Sequence, residues 1–303
     1  MEELVKTANN ILLNFLKIKK GKKILILKDE GNEIVDAFKI ACKKNDLEFR
    51  VFQIPPNRRH SSPIPLALNE MQKADFIIAP TKNSVSYSPE TTHCYKMGKI
   101  IITLPSITKE IFLKINKTDF GEIQTLNKKI IAFMKNKKHI CITTPRGTKL
   151  DFAITNRPWF GDDKPKDGFI GNLPNGEAGC APIEDSANGI IQIDYWADKI
   201  TPKDGAWIRV VNGKIVDWNK EANPFIKMHG VTNGLIIAEL GIGTNKTHKE
   251  PIGNILHDEK IYGTCHIAFG ENVNLGGKNK STIHSDIILL DPTILADSKK
   301  LII

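Results

Sequence analysis

Apolar positions in the first part of the chain switch repeatedly between two periods. Residues 24–27 form a short apolar run after Gly21, residues 33–44 place Ile34, Phe38 and Ala41 at helical spacing, and residues 49–54 return to an extended pattern. The alternation repeats: 66–73 predicts a helix, 76–79 a buried strand closed by Pro80, and 100–104 another closed by Pro105. Strands alternating with helices predict a wound, mainly parallel sheet with helices on its faces.

Beyond about residue 134 the pattern changes. Residues 140–144 and 150–154, joined through Pro145-Arg146-Gly147-Thr148, predict a hairpin, and short extended runs follow at 189–195, 206–211, 214–217, 234–239 and 283–290. Asn212-Gly213 between two such runs is a strong hairpin turn. Only 218–228 has helical spacing, and its Asn223-Pro224 pair works against a helix there. The expected organisation is an α/β N-terminal domain with a wound, mainly parallel sheet at 1–137, then a mainly antiparallel β (α+β) domain at 138–303.

Composition narrows the class. A chain of 303 residues, 41% hydrophobic and 25% charged, can bury two cores and is not disordered as a whole. No apolar run approaches the length of a membrane span, and the amphipathic start at 1–16, with Glu2, Glu3 and Lys6, does not read as a secretion leader. Cys42, Cys94, Cys141, Cys180 and Cys265 are scattered singly, which fits a reducing, cytoplasmic compartment. The formal charge of +9 is spread over dispersed lysines, dense only at 17–23, so no nucleic-acid footprint is expected.

Candidate chemistry gathers in the second half. His284 and Asp286 stand at the start of an apolar run, where side chains two apart share a strand face and can reach one cation. His266 lies in an almost uncharged stretch, 263–270, and is expected at least partly buried. Glu239 ends the apolar run 234–238, and a carboxylate there calls for a cation. Glu177 closes a turn-rich loop, 172–177, that leads into 178–182. Gly241 and Gly243 lack the further glycine and following helix of a phosphate cradle, and Glu184, Asp185, Asp194, Glu259 and Glu271 are read as carboxylates that are structural or that support the ligands from behind. His93 with Cys94 is the nearest candidate before Glu177, and a structural role is expected for it.

Residues 172–182, 238–245, 258–270 and 281–287, in that order, resemble the aminopeptidase T family of thermophilic metalloaminopeptidases, with weaker similarity over 74–108. The resemblance implies a pair of divalent ions (Zn, Co or Mn) held by Glu177, Glu239, His266, His284 and Asp286, with Glu177 doubling as base and Glu239 bridging. It also implies a homodimer that removes N-terminal residues from peptides, in which metal activates water and polarises the scissile carbonyl. The partner is then a small peptide or other small molecule, with neither nucleic acid nor membrane.

One departure stands out. The family's catalytic tyrosine follows its first metal histidine by a few residues, where this chain reads Gly270-Glu271-Asn272-Val273-Asn274. Tyr262, four residues before His266, is the nearest phenol and is taken as the candidate oxyanion donor on the same strand face. The same fold resemblance extends to dihydroxypyridine ring-cleaving dioxygenases. In that alternative His266, His284 and Asp286 would hold one Fe(II) as a facial triad acting on a hydroxylated (aza)aromatic ring. A non-catalytic metal-binding role is the third reading.

Overall fold

The computed structural model describes residues 1–59, 61–161, 168–196 and 205–303. They fall into two compact units, Met1–Phe120 with Asp163–Asn175, and Gly121–Asp162 with Gly176–Ile303.

The first unit is built on a five-stranded parallel sheet in the order Glu48–Gln53, Lys23–Lys28, Phe76–Ala79, Ile100–Thr103, Phe169–Asn172. Successive side chains of a strand point to opposite faces, and here both faces are apolar. Ile24, Ile26, Phe76, Ile78, Ile100 and Ile102 join one core with the N-terminal helical segment, with the helix Glu33–Lys44 and with Phe112 and Ile115 of the helix Lys109–Ile115. Leu25, Leu27, Ile77, Ala79 and Ile101 join a second core with Met71 and Cys94. The helix Glu33–Lys44 starts where the Asn32 side chain accepts hydrogen bonds from the Ile34 and Val35 amides, at 3.1 and 2.9 Å. The edge strand Phe169–Asn172 was absent from the sequence reading. Its four residues take their strand character from pairing with Ile100–Thr103, far away in the chain.

The second unit carries two antiparallel sheets. The larger has seven strands in the order Lys214–Trp218, Trp207–Val211, Asn188–Gln192, Lys149–Ala153, His139–Thr143, Thr293–Ala296, Lys299–Lys300. The smaller has five, His284–Leu289, Cys265–Gly270, Ile237–Gly243, Glu177–Cys180 and Trp159–Gly161. Fold class is therefore as expected in outline: a parallel sheet, then antiparallel ones. The helix Phe120–Met134 contributes Ile130 and Met134 to the core of this unit.

Three local expectations are corrected. The helix expected over 218–228 is confined to Asn223–His229 after a short 3-10 turn, and Trp218 ends a strand instead. Pro224 sits in the first helical turn, where its missing amide hydrogen is no loss, so Asn223-Pro224 opens this helix. The run expected to end at Glu239 continues to Gly243. Glu177, expected on a loop, opens the strand Glu177–Cys180, paired with Ile237–Gly243.

Candidate metal centre

The five-stranded antiparallel sheet has two unlike faces. Ala178, Cys180, Leu240, Ile242, Cys265, Ile267, Phe269, Ile287 and Leu289 alternate along its strands and all enter the core of the second unit. The residues between them face the other way: Glu177 and Gly179, then Glu239, Gly241 and Gly243, then His266, Ala268 and Gly270, then His284, Asp286 and Ile288. A bulge between Ile237 and Glu239 breaks the period of two, so Ile237 stays in the core while Glu239 turns to the opposite face. Cross-strand register then lines up Glu239, Ala268 and Asp286 in one row, and Gly241 with His266 in the next. Every residue of this face on the three inner strands that is not a potential ligand is glycine or alanine.

That stripping has a steric reason. A Cβ at Gly241 would fall within the His266 imidazole, so the ring lies directly across the neighbouring strand. Gly241 and Gly243, rejected above as a phosphate cradle, thus leave room for neighbouring groups; Gly243 is closed against the Ile261 carbonyl.

Glu177, Glu239, His266, His284 and Asp286 are brought together. His284 Nε2 lies 2.9 Å from Glu239 and 3.7 Å from Asp286, and His266 Nε2 lies 3.4 Å from Glu177, 3.7 Å from Glu239 and 3.9 Å from Asp286. Three overlapping sets of possible ligands result: Glu177, Glu239 and His266; Glu239, His284 and Asp286; and Glu259, His266 and Asp286. Among the described residues no such set occurs before Glu177. His93 instead meets the Gln72 side chain at 3.1 Å.

The donor chemistry fits a divalent cation. His284 Nδ1 donates to the Glu271 carbonyl at 2.7 Å; a carbonyl can only accept, so in the neutral ring Nε2 keeps its lone pair and points it at the carboxylates. His266 is 1% exposed, and among the described residues its Nδ1 has no hydrogen-bond partner. Without a cation the charges compensate one another. Burial lowers the His266 pKa, but the Glu239 hydrogen bond and the charges of Asp286, Glu177 and Glu239 outweigh it and raise it to about 9. Burial raises the Glu239 carboxyl, but hydrogen bonds from His266 and His284 and their charges prevail and hold it well below the usual range. Imidazole and carboxylate lone pairs converging in so buried a place suit zinc, cobalt, manganese or iron.

Two members of the cluster were missed or discounted in the sequence. Glu259 was read as structural or as a support behind the ligands and Lys260 went unremarked; the Lys260 ammonium, on a residue 1% exposed, bonds Glu177 and lies 2.9 Å from Glu259. Three consecutive charges, Asp258-Glu259-Lys260, are all buried, and a charge run in a sequence ordinarily reads as a solvated face. Asp258 holds that segment by accepting from the Ile252 and Gly253 amides, both at 2.9 Å, and by pairing with His257 at 2.8 Å. Tyr262 is not on the His266 strand face. The strand begins at Cys265, after a turn at Gly263 with φ of +83°, and the Tyr262 hydroxyl donates to the Ile303 carbonyl at 3.0 Å.

With that geometry in view, similarity to known proteins can be placed. Across 99% of this chain and 95% of its own, 2,5-dihydroxypyridine dioxygenase from Pseudomonas putida KT2440 superposes with a TM-score of 0.80 at 17% identity. AmpT from Thermus thermophilus does so over 99% and 97%, with a TM-score of 0.74 at 15% identity. At such identities the likeness establishes the fold. No curated protein sequence matches the chain. No helix among the described residues is long and apolar enough to cross a membrane. The thermophilic metalloprotease (M29) family model matches residues 117–300, more than half of the chain and the whole of the ligand-bearing face, and the chain belongs to that family.

Proposed function

We propose that this metallopeptidase is an aminopeptidase-type hydrolase that removes N-terminal residues from peptides. The observation that carries the reading is the convergence of Glu177, Glu239, His266, His284 and Asp286 on one stripped sheet face of a chain in a metalloprotease family. When bound, a divalent ion there supplies Lewis acidity, polarising the scissile carbonyl and making a water acidic enough to attack near neutral pH. His284, fixed by the Glu271 carbonyl, presents Nε2 without reorganising. Glu177 reaches the cluster from the strand beside Ile237–Gly243 and would accept the proton of the attacking water and return it to the leaving amine. The surrounding carboxylates favour a substrate with a free, protonated amino terminus. The five cysteines are all free, which agrees with a reducing, cytoplasmic compartment, and the family resemblance extends the proposal to a homodimer.

An iron dioxygenase built on His266, His284 and Asp286 alone would leave Glu177 and Glu239 with no ligand role, although both stand in the same cluster. Hydrolysis uses all five. The test is turnover of unblocked aminoacyl anilides and short peptides by protein loaded with zinc, cobalt or manganese. The expected result is cleavage abolished by a chelator and by acylation of the substrate amine, and equal with and without dioxygen. Absence of cleavage together with dioxygen uptake by the Fe(II)-loaded protein on a hydroxylated aromatic would overturn it.

A further inference from the structure

The five residues above do not exhaust the charges of the cluster. Lys260 is as buried as His266, and a buried ammonium persists only where carboxylates meet it directly. It meets two, Glu177 through Oε1 and Glu259 through Oε1 at 2.9 Å. Glu177 is thereby divided: one oxygen is on the ammonium and the other, Oε2, faces His266 Nε2 at 3.4 Å. Glu259 is divided in kind, since its carboxylate belongs to a possible ligand set with His266 and Asp286 while carrying the same ammonium. In the remaining set the carboxylates of Glu239 and Asp286 pair with the imidazoles of His266 and His284.

The ammonium therefore stands where two of the three ligand sets would need a second ion. Lys260 is also fixed there by its backbone: its carbonyl accepts from the Asn245 amide at 2.9 Å, its amide donates to the His257 carbonyl at 3.2 Å, and the preceding Asp258 is anchored as described. Formal charge points the same way. Glu177, Glu239, Glu259 and Asp286 sum to −4, and Lys260 brings the cluster to −3 with both histidines neutral. One divalent ion leaves −1, whereas two would leave +1 beside an ammonium in a buried site.

We propose that Lys260 takes the place of a second cation, so that the centre holds one divalent ion through Glu239, His266, His284 and Asp286, with the Glu177 carboxylate paired to the lysine. The inference rests on the metallopeptidase reading and departs from the two-ion centre that the family resemblance implies. Its consequence is a hybrid site, in which an ammonium supplies the fixed positive charge that a second ion would otherwise bring to Glu177.

The test is stoichiometry. Full-length protein is saturated with Co(II), freed of loose metal on a desalting column, and assayed by elemental analysis and by Co(II) spectroscopy, for wild type, Lys260→Arg and Lys260→Gln. Wild type and Lys260→Arg are expected to hold one ion per chain, with the signal of an isolated high-spin Co(II). Lys260→Gln frees both carboxylates and is expected to rise to two, with coupling between neighbouring ions. Two ions per wild-type chain overturns the inference while leaving the metallopeptidase reading intact. One ion in a folded Lys260→Gln also overturns it. If Lys260→Gln does not fold, the wild-type count and spectrum decide alone. No bound metal in wild type removes the centre itself and the proposed function with it.

Discussion

The strand Phe76–Ala79 of the first unit and the strand Ile237–Gly243 of the second are each buried along their whole length, and they bury different things. Phe76 and Ile78 enter one apolar core and Ile77 and Ala79 another, so every side chain of the first strand is drawn inward by loss of water contact. The second strand gives Ile237, Leu240 and Ile242 to a core, but its other face holds Glu239 among glycines. Burial on that face carries a desolvation cost for the carboxylate, which is offset by the hydrogen bonds and charges of His266 and His284 and by no apolar contact. The difference teaches that burial alone marks a core, whereas burial of charge on a face emptied of side chains marks a place kept for a ligand.

Removing ligands should break that comparison most sharply. Glu239→Gln, His266→Ala, His284→Ala and Asp286→Asn are each expected to weaken metal binding a hundredfold or more, since even outer partners of a metal site typically account for about ten- to hundredfold. Metal titration with a competing chelator measures this. Native affinity and rate in three of the four would refute the centre.

Acid stability is the next largest effect. Among the described residues the buried histidines, His229, His248, His257 and His266, all lie in the second unit. His229 is fully buried, stacked on Phe225 at 3.9 Å with Nδ1 on the Phe225 carbonyl at 2.8 Å, and burial lowers its pKa to about 4 from an ordinary 6.5. The unfolded chain takes up this proton below pH 6.5 and the folded chain resists until about 4, so stability is full above 6.5 and falls across that window. The loss amounts to about 3 kcal/mol. In denaturant titrations, His229→Phe should lack that part of the decline, and equal slopes for both proteins would contradict the assignment.

How much of this was legible beforehand follows the same division. The parallel sheet could be read from sequence because continuous apolar runs between helical patterns are a local signal, and its expected strands at 76–79 and 100–104 lie where they were placed. His284 and Asp286 were legible as a pair because two-residue spacing fixes a shared face on any strand. The strand that carries Glu177 and the far half of the Glu239 strand were not. Glycines weaken strand propensity, and the reason for Gly241 is a ring contributed by another strand. Lys260 was invisible because a lysine is ordinarily a solvated residue, and only the fold shows that two carboxylates enclose it.

Gly241→Ala probes the stripped face without touching a ligand. The added methyl must displace the His266 ring, which should lower metal affinity by about ten- to hundredfold, within the range for disturbing the support of a ligand. Metal titration of the folded variant checks it, and unchanged affinity would mean that His266 does not need its observed position.

The smallest effect asks whether the two strands are alike on the faces where they should be alike. Ile78 and Ile242 are both fully buried in apolar cores, so Ile78→Val and Ile242→Val each remove one methyl group from comparable surroundings. Each is expected to cost about 1 kcal/mol of stability, read from the denaturant midpoint at unchanged slope. Neither should alter metal affinity. For Ile78 that result is expected from its place in the other unit. For Ile242 it is a sharper demand, because its neighbours in the strand are Gly241 and Gly243, and its side chain leaves the backbone on the side opposite His266. If the backbone transmits the loss of one core methyl to the ligand face, Ile242→Val will weaken metal binding several-fold while Ile78→Val does not. The core face and the ligand face would then act as one mechanical unit, and the apolar packing beneath the centre would have to be counted among the things that hold His266 and Glu239 in place.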